Sequence, residues 1–394
     1  MRLDWRWAVF RTAEALSAAP CKTAEHGAWV VYASTLGELN AITPFLRLLR
    51  QHAPHPPLIF ISEHPHYFPS FRTAWPDSLC VAIDHHSERA AAFFRTHPTA
   101  VLLLAEIPLV PGDAPARLPF AWLHHAKAAG ARCALINGWL YSEKPACRID
   151  RLERALFSRA QLQHFDLITV QAPGIRERLI EWGAPPERVH APGNLKFDAR
   201  AAVRAGVPLM ADRPTVVAGS MNNAPEYALV IEAFIQLRET MPQAALIIAP
   251  RHPENTARTD QLCALLAQRG VRYRLKSEGA TDAPDCLVLD TLGELAGCYA
   301  HAGAAHVGIN HNVLEPLHHG RMVSVSTGWE PRYPSFAVCR AMQEAGWVVE
   351  AADAQALAAQ WALALRQGPV DTRGLARFEG AGERTLQLWK QHIF

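Results

Sequence analysis

Trp29-Val30-Val31-Tyr32-Ala33-Ser34-Thr35-Leu36-Gly37-Glu38-Leu39 reads as a buried strand, a tight turn and the start of a helix. The aliphatic run has the length of a strand. Gly37 lets the backbone turn sharply. Glu38 suits the first turn of a helix, where the dipole favours negative charge and tends to lower a carboxylate's pKa. From residue 39 the apolar residues change period, which predicts a helix over 39–51. The next aliphatic run, 58–61, starts the cycle again.

The cycle repeats along the chain. Runs at 101–104, 133–136, 167–170 and 189–190 read as further strands, with a helix-length segment at 148–163. A second series starts at 215–218 and continues through 245–249, 286–289, 304–307 and 322–325, separated by helical segments such as 226–239, 255–268 and 337–345. Continuous apolar strands between helices indicate parallel sheets covered on both faces. The two series meet in 199–214, a stretch rich in Ala, Arg, Gly and Pro without a strand pattern. The domains are therefore placed at 1–204 and 205–394, the second ending in two helices over 354–366 and 373–391. The fold class is α/β: two Rossmann-like, doubly wound domains facing a cleft. Ligands of such domains sit at the carboxyl ends of the strands, where loops and helix N-termini converge.

Composition agrees. A length of 394 residues suits two domains at about 150 residues each. With 49% hydrophobic and 19% charged residues, the chain has core-forming material and is not of disordered type. The 39 Lys+Arg against 37 Asp+Glu leave a net charge of +2, so no charge excess calls for a nucleic-acid partner. No apolar run approaches the ~18–20 residues of a membrane-spanning helix. The start, Met1-Arg2-Leu3-Asp4-Trp5-Arg6-Trp7, lacks the apolar core of a signal peptide, so export is not expected. The eight cysteines form no C-x-x-C pair, which argues against a zinc ribbon or redox dithiol and for a reduced, cytoplasmic protein. The 19 histidines include adjacent pairs, but neighbours on a helix point apart, so no metal site is expected. Trp5 and Trp7, with Arg2, Arg6 and Arg11, either touch a membrane surface or pack on the protein.

Five strings carry candidate chemistry, and each has a plain structural alternative. Ser34–Leu39 places Glu38 at a strand-to-helix turn facing the expected cleft, as a catalytic carboxylate or as a helix-start charge. Ala191-Pro192-Gly193-Asn194-Leu195-Lys196-Phe197-Asp198 puts a Lys where it can neutralise an anion, or is a linker turn. Ala249-Pro250-Arg251-His252-Pro253-Glu254 offers a strand-end guanidinium for paired hydrogen bonds to phosphate or carboxylate, or is a surface loop. Asp290-Thr291-Leu292-Gly293-Glu294-Leu295 is a Gly-then-helix layout able to present backbone N–H groups, and is weak as a bare string. In Gly308-Ile309-Asn310-His311-Asn312-Val313-Leu314-Glu315-Pro316, Asn312 and Glu315 share a helical face, suited to nucleotide recognition or to a capping box.

Taken in order, these strings resemble the 3-deoxy-D-manno-octulosonic acid (Kdo) transferases of Gram-negative lipopolysaccharide synthesis. The matching strings are STLGE, GNLKFD, APRHPE, DTLGEL and HNVLEP, spanning residues 34–316. The resemblance implies the glycosyltransferase-B fold. It makes Glu38 the catalytic base, with Glu106 and Lys196 stabilising the transition state. Pro250, Arg251, Leu292, Gly293, Glu294, Asn312, Val313, Leu314 and Glu315 match the segments that hold CMP. The implied reaction is inverting transfer of Kdo from CMP-Kdo to a lipid A precursor (lipid IVA) or related glycolipid, without metal or other cofactor. The first domain would take the acceptor and the second the CMP-sugar, on the cytoplasmic face of the inner membrane with peripheral contact to it. The acceptor half departs from the pattern. Pro108 and Val110 replace a Glu and a Trp, Asn137-Gly138-Trp139 lacks the Arg of the family's N-A-R string, and the Gly-rich stretch before Asn312 is shortened. A divergent paralogue with another acceptor, a glycosyltransferase-B enzyme with another nucleotide sugar, or a catalytically degenerate protein binding a glycolipid or partner are the alternatives.

Overall fold

Ala28–Tyr32 forms β1, buried at every residue. Its side chains alternate between two cores. Val30 and Tyr32 pack with Leu102, Leu104 and Leu135 on one face of the sheet. Trp29 and Val31 pack with Phe45, Val101 and Leu103 on the other. The computed structural model describes residues 27–52, 56–84, 86–106, 118–140, 159, 161–199, 210, 213–253, 255–279, 284–331 and 333–394.

The chain divides into two units. The first comprises Met1–Ala199 and Leu375–Phe394, the second Arg200–Gly374. The first unit holds a parallel sheet in the order β3-β2-β1-β4-β5-β6-β7. These strands are β1, β2 (Leu58–Ser62), β3 (Leu79–Ala82), β4 (Thr99–Ala105), β5 (Arg132–Gly138), β6 (Leu167–Val170) and β7 (Val189–His190). Helix α1, Leu36–His52, buries Leu39, Ile42, Phe45, Leu46 and Leu49, the apolar stripe of a helix lying on a sheet. Around the sheet lie α2 (Phe68–Ala74), α3 (Ser87–Thr96), α4 (Phe120–Ala128) and α5 (Pro173–Glu181).

The second unit repeats the plan with a parallel sheet in the order β10-β11-β9-β8-β12-β13-β14. Its strands are β8 (Thr215–Met221), β9 (Ala245–Pro250), β10 (Tyr273–Leu275), β11 (Cys286–Val288), β12 (Ala304–Val307), β13 (Val323–Ser326) and β14 (Val348–Ala351). Its helices are α6 (Ala224–Thr240), α7 (Thr256–Gln268), α8 (Leu295–His301), α9 (Leu314–His318), α10 (Pro334–Glu344) and α11 (Ala354–Gln367). Helices α6 and α11 pack together, with Tyr227, Phe234 and Trp361 in one core with β8 and β9.

Three strands carry no signal in the sequence reading: β3, β10 and β14. Each is an edge strand with a partly exposed face, so it lacks the continuous apolar run that marks central strands.

The C-terminus corrects the domain limits. Residues 375–394 pack on the first unit, so the second unit ends at Gly374 rather than at 394. The expected helix over 373–391 is broken by Gly380, at φ 87°, into a 3₁₀ turn, Arg373–Phe378, and α12, Ala381–His392. Trp389 of α12 is fully buried, its ring 6.2 Å from Trp29 and 5.6 Å from Phe45. The link 200–209, 211 and 212 and most of the helix expected over 148–163 lie outside the described residues.

Candidate functional site

Each sheet reverses its winding once, between β1 and β4 in the first unit and between β8 and β12 in the second. In doubly wound folds the crevice outside the carboxyl ends of such a strand pair is where ligands bind. Glu38 follows β1 and Glu106 follows β4. Asn222 follows β8, and Ile309 to Glu315 follow β12.

Glu38 is buried in the first turn of α1. Its Oε2 accepts the backbone N–H of Ser34 at 2.6 Å and of Thr35 at 3.4 Å, while its own N–H donates to Thr35 Oγ1 at 3.3 Å. This is a reciprocal capping box. Among the described residues, no hydrogen bond engages Oε1. The helix start was expected to lower the Glu38 pKa; instead it is raised to about 8. Burial is the main cause and the charge of Glu106 the second, and together they outweigh the amide donors.

Glu106 and Asn137 terminate β4 and β5 in left-handed backbone, at φ 59° and 60°. Such conformations cost on the order of 1–3 kcal/mol each and persist only where surrounding structure enforces them. Here the enforcement is a polar network. Lys196 Nζ lies 2.9 Å from Glu106 Oε1. Asn137 Nδ2 donates to Glu106 Oε1 at 3.0 Å and to Asn194 Oδ1 at 3.3 Å. Asn137 Oδ1 accepts the Leu195 N–H at 2.8 Å, and Asn194 Nδ2 donates to Gln171 Oε1 at 3.0 Å. The structure thus brings Glu38, Glu106 and Lys196 together, and adds Asn137, Gln171 and Asn194, which the sequence reading did not assign a role.

In the second unit four more non-glycine residues are left-handed among the described residues: Met210, Ser220, His252 and Asn310, at φ 76°, 60°, 58° and 64°. The last three stand at or just past the carboxyl ends of β8, β9 and β12. Arg251 follows the buried Pro250 and its Nη1 donates to Asn222 Oδ1 at 3.4 Å. His311 Nε2 lies 3.3 Å from the same oxygen. Burial, with Arg251 and His252 nearby, lowers the His311 pKa to about 3, so its ring is neutral. Asn312 is exposed and its Oδ1 accepts the Leu314 N–H at 3.1 Å. Val313 and Leu314 bury their side chains. Glu315 has its pKa raised to about 7, burial outweighing its hydrogen bond with Asn312. After β11, Leu292 is exposed, Gly293 takes φ 89°, and Glu294 accepts from Thr291 and pairs with Lys276 at 3.8 Å. The sequence reading assigned no role to Asn222 or Glu226; Glu226 donates its N–H to Asn223 Oδ1 as Glu38 does to Thr35 Oγ1, but its Oε2 accepts from Asn222. Pro108, Val110, Glu254 and the aromatic-basic residues 2–11 lie outside the described residues, and Trp139 is buried. Among the described residues no three His, Cys, Asp or Glu side chains gather so as to hold a metal ion, and no helix is long and apolar enough to cross a membrane.

Residues 114–199, which include Asn137 and Gly193 to Asp198, match the family model described as 3-deoxy-D-manno-octulosonic-acid transferase (kdotransferase). A Bordetella pertussis 3-deoxy-D-manno-octulosonic acid transferase is 30% identical over 287 residues, 66% of this chain and 64% of that protein. The chain is similar in sequence to the Kdo transferases. The Chlamydia trachomatis serovar D enzyme is 28% identical over 217 residues, 50% of this chain and 48% of that protein. The chain spans about half the length of the curated relatives it matches first. Among solved structures, UDP-GlcNAc 2-epimerase from Methanocaldococcus jannaschii superposes with a TM-score of 0.63 at 12% identity, covering 92% of this chain and 99% of that one. That likeness is one of fold, two Rossmann-like units in one chain, and agrees with the glycosyltransferase-B class read from the sequence.

Proposed function

We propose that the protein is an inverting glycosyltransferase that moves Kdo from CMP-Kdo to a lipid A precursor. The observation that carries this reading is the Glu38 carboxylate. One oxygen is anchored by backbone amides while the other is uncommitted among the described residues, beside the Glu106–Lys196 pair at a strand-end switch point. Oε1 takes the proton of the acceptor hydroxyl as that oxygen attacks the anomeric carbon. The anomeric C–O bond to phosphate breaks, and CMP leaves with the bonding electrons. Lys196, held by Glu106, supplies positive charge to the transition state, and Arg251 takes the phosphate of CMP. Asn312 and Glu315 serve the cytidine end. These two cations support a displacement that needs no metal, and activity is expected to persist in EDTA. On this reading the enzyme works on the cytoplasmic face of the inner membrane, in peripheral contact with its lipid-linked acceptor.

A second reading keeps the donor and changes the glycolipid acceptor. It is favoured by Trp139, buried where the family's string has Arg. CMP release from CMP-Kdo, measured with lipid IVA, with other lipid A-type glycolipids and with no acceptor, separates the readings. Release stimulated by lipid IVA supports the first, and release stimulated only by another glycolipid supports the second. CMP-Kdo left intact under every condition overturns both.

A further inference from the structure

The donor side of the second unit contains a joint with no counterpart among the matched motifs. Asn222, just past β8, touches the loops after β9 and β12 with one carboxamide. Its Nδ2 donates to the Ile309 carbonyl at 3.0 Å. Its Oδ1 accepts from Arg251 Nη1 at 3.4 Å and lies 3.3 Å from His311 Nε2. Its backbone N–H donates to Glu226 Oε2, and the other oxygen of Glu226 accepts the Ile309 N–H at 2.7 Å. Both oxygens of the buried Glu226 are therefore spent on amides of two different loops. Asn222 is seated from below by Glu226 and holds Arg251 and His311 from the side.

The chemistry of the two held groups differs. Arg251 is exposed and cationic, whereas His311 is half-buried and stays neutral. A guanidinium on a long flexible stem loses rotamer freedom when it binds an anion, and tethering it beforehand removes part of that cost. Asn222 is uncharged, so it orients Arg251 without neutralising it; an Asp there would compete with the anion.

We propose that Asn222, seated by Glu226, is a positioning residue that pre-sets Arg251 for the phosphate of the nucleotide. This inference rests on the reading of the second unit as the CMP-binding half. It separates phosphate recognition from recognition of the nucleoside, which Asn222 does not serve.

Calorimetry of the full chain with CMP and with cytidine tests it, using wild type, Asn222→Ala, Asn222→Ser and Arg251→Ala. Wild type is expected to bind CMP more tightly than cytidine, and Arg251→Ala to bring CMP down to the cytidine level. Asn222→Ala is expected to weaken CMP by roughly tenfold, the scale of one hydrogen bond to a charged group, with cytidine unchanged. Should Asn222→Ala fail to fold, Asn222→Ser gives the same readout with a smaller cavity. Equal losses for CMP and cytidine mark a purely structural role and overturn the inference. So do Asn222 variants that bind CMP as wild type does while Arg251→Ala behaves as expected. Wild type that binds CMP no better than cytidine overturns the donor reading and this inference with it.

Discussion

The two glutamates that open α1 and α6 are built alike and committed differently. Glu38 and Glu226 each accept the amide of the residue four positions before them. Glu226 spends its second oxygen on Ile309, whereas the second oxygen of Glu38 is uncommitted among the described residues. A cap needs one oxygen and a base needs the other, so Glu38 can do both. Gln at position 38 keeps an accepting oxygen for the amides of Ser34 and Thr35 but accepts a proton poorly. Glu38→Gln is therefore expected to melt near the wild-type temperature and to slow transfer by about 10²–10⁴-fold. A thermal melt and a rate on one preparation check both; a lower melt with normal turnover would show that Glu38 is a cap alone. Since its pKa is raised to about 8, Glu38 is protonated at neutral pH in the free protein. The kcat/KM is then expected to rise with pH and level off above about 8. Glu106→Gln removes the second largest cause of the rise, so the limb of its pH–rate profile is expected at lower pH. An unmoved limb would show that another group titrates.

Among the elements, the short turn after β7 joins site and scaffold. Asn194 and Lys196 face the Glu106 network, while the next two residues hold the C-terminal segment. Phe197 stacks on Phe378 with centroids 4.9 Å apart. Asp198 accepts the N–H of Gly380 at 2.7 Å and of Gly382 at 2.6 Å, at the start of α12. A carboxylate there satisfies orphan amides and meets the positive end of the helix dipole. Asp198→Ala is expected to cost about 1.5–3 kcal/mol of stability, the range for hydrogen bonds to charged groups, and to lower turnover because Lys196 sits in the same turn. Denaturant unfolding and a rate assay read the two effects. Unchanged stability would mean that apolar burial of Trp389 and Leu386 alone docks α12.

At the scale of the whole molecule, both units are closed around sheets with fully buried centres, and the second keeps a polar residue there. His306 on β12 is completely buried, with Nδ1 3.0 Å from Ser324 Oγ and Nε2 3.3 Å from Ser326 Oγ. Burial lowers its pKa to about 3. Above the unfolded-state value of about 6.5 this group does not favour either state. As pH falls below that, the unfolded chain takes up the proton and the folded one does not, so stability drops by up to about 1.4 kcal/mol per pH unit until the folded pKa is reached. His306→Asn is expected to unfold with a shallower acid dependence between pH 4 and 6, read by denaturant melts at a series of pH values. Parallel curves for variant and wild type would show that His306 does not set this slope.

The alternation of aliphatic runs with 3.6-period segments was enough to specify two parallel α/β units, because central strands such as β1 and β4 bury both faces and must be apolar throughout. The positions of Glu38 and Arg251 at strand ends were legible for the same reason, since a loop after a buried strand opens at the carboxyl edge, whereas Glu106 and Lys196 were picked out by the resemblance. Edge strands β3, β10 and β14 were not legible, because half of each faces out and the apolar signal fades. The docking of α12 was not legible either: Asp198 and Gly380 lie 182 residues apart, and no local pattern links them. Nor were Asn137, Asn222 and Glu226, whose partners at other strand ends lie 29 to 89 residues away. The reversal at Glu38 shows the physical limit most directly. A helix start lowers a carboxylate's pKa through neighbours along the chain, whereas desolvation and the charge of Glu106 raise it through neighbours that only folding assembles.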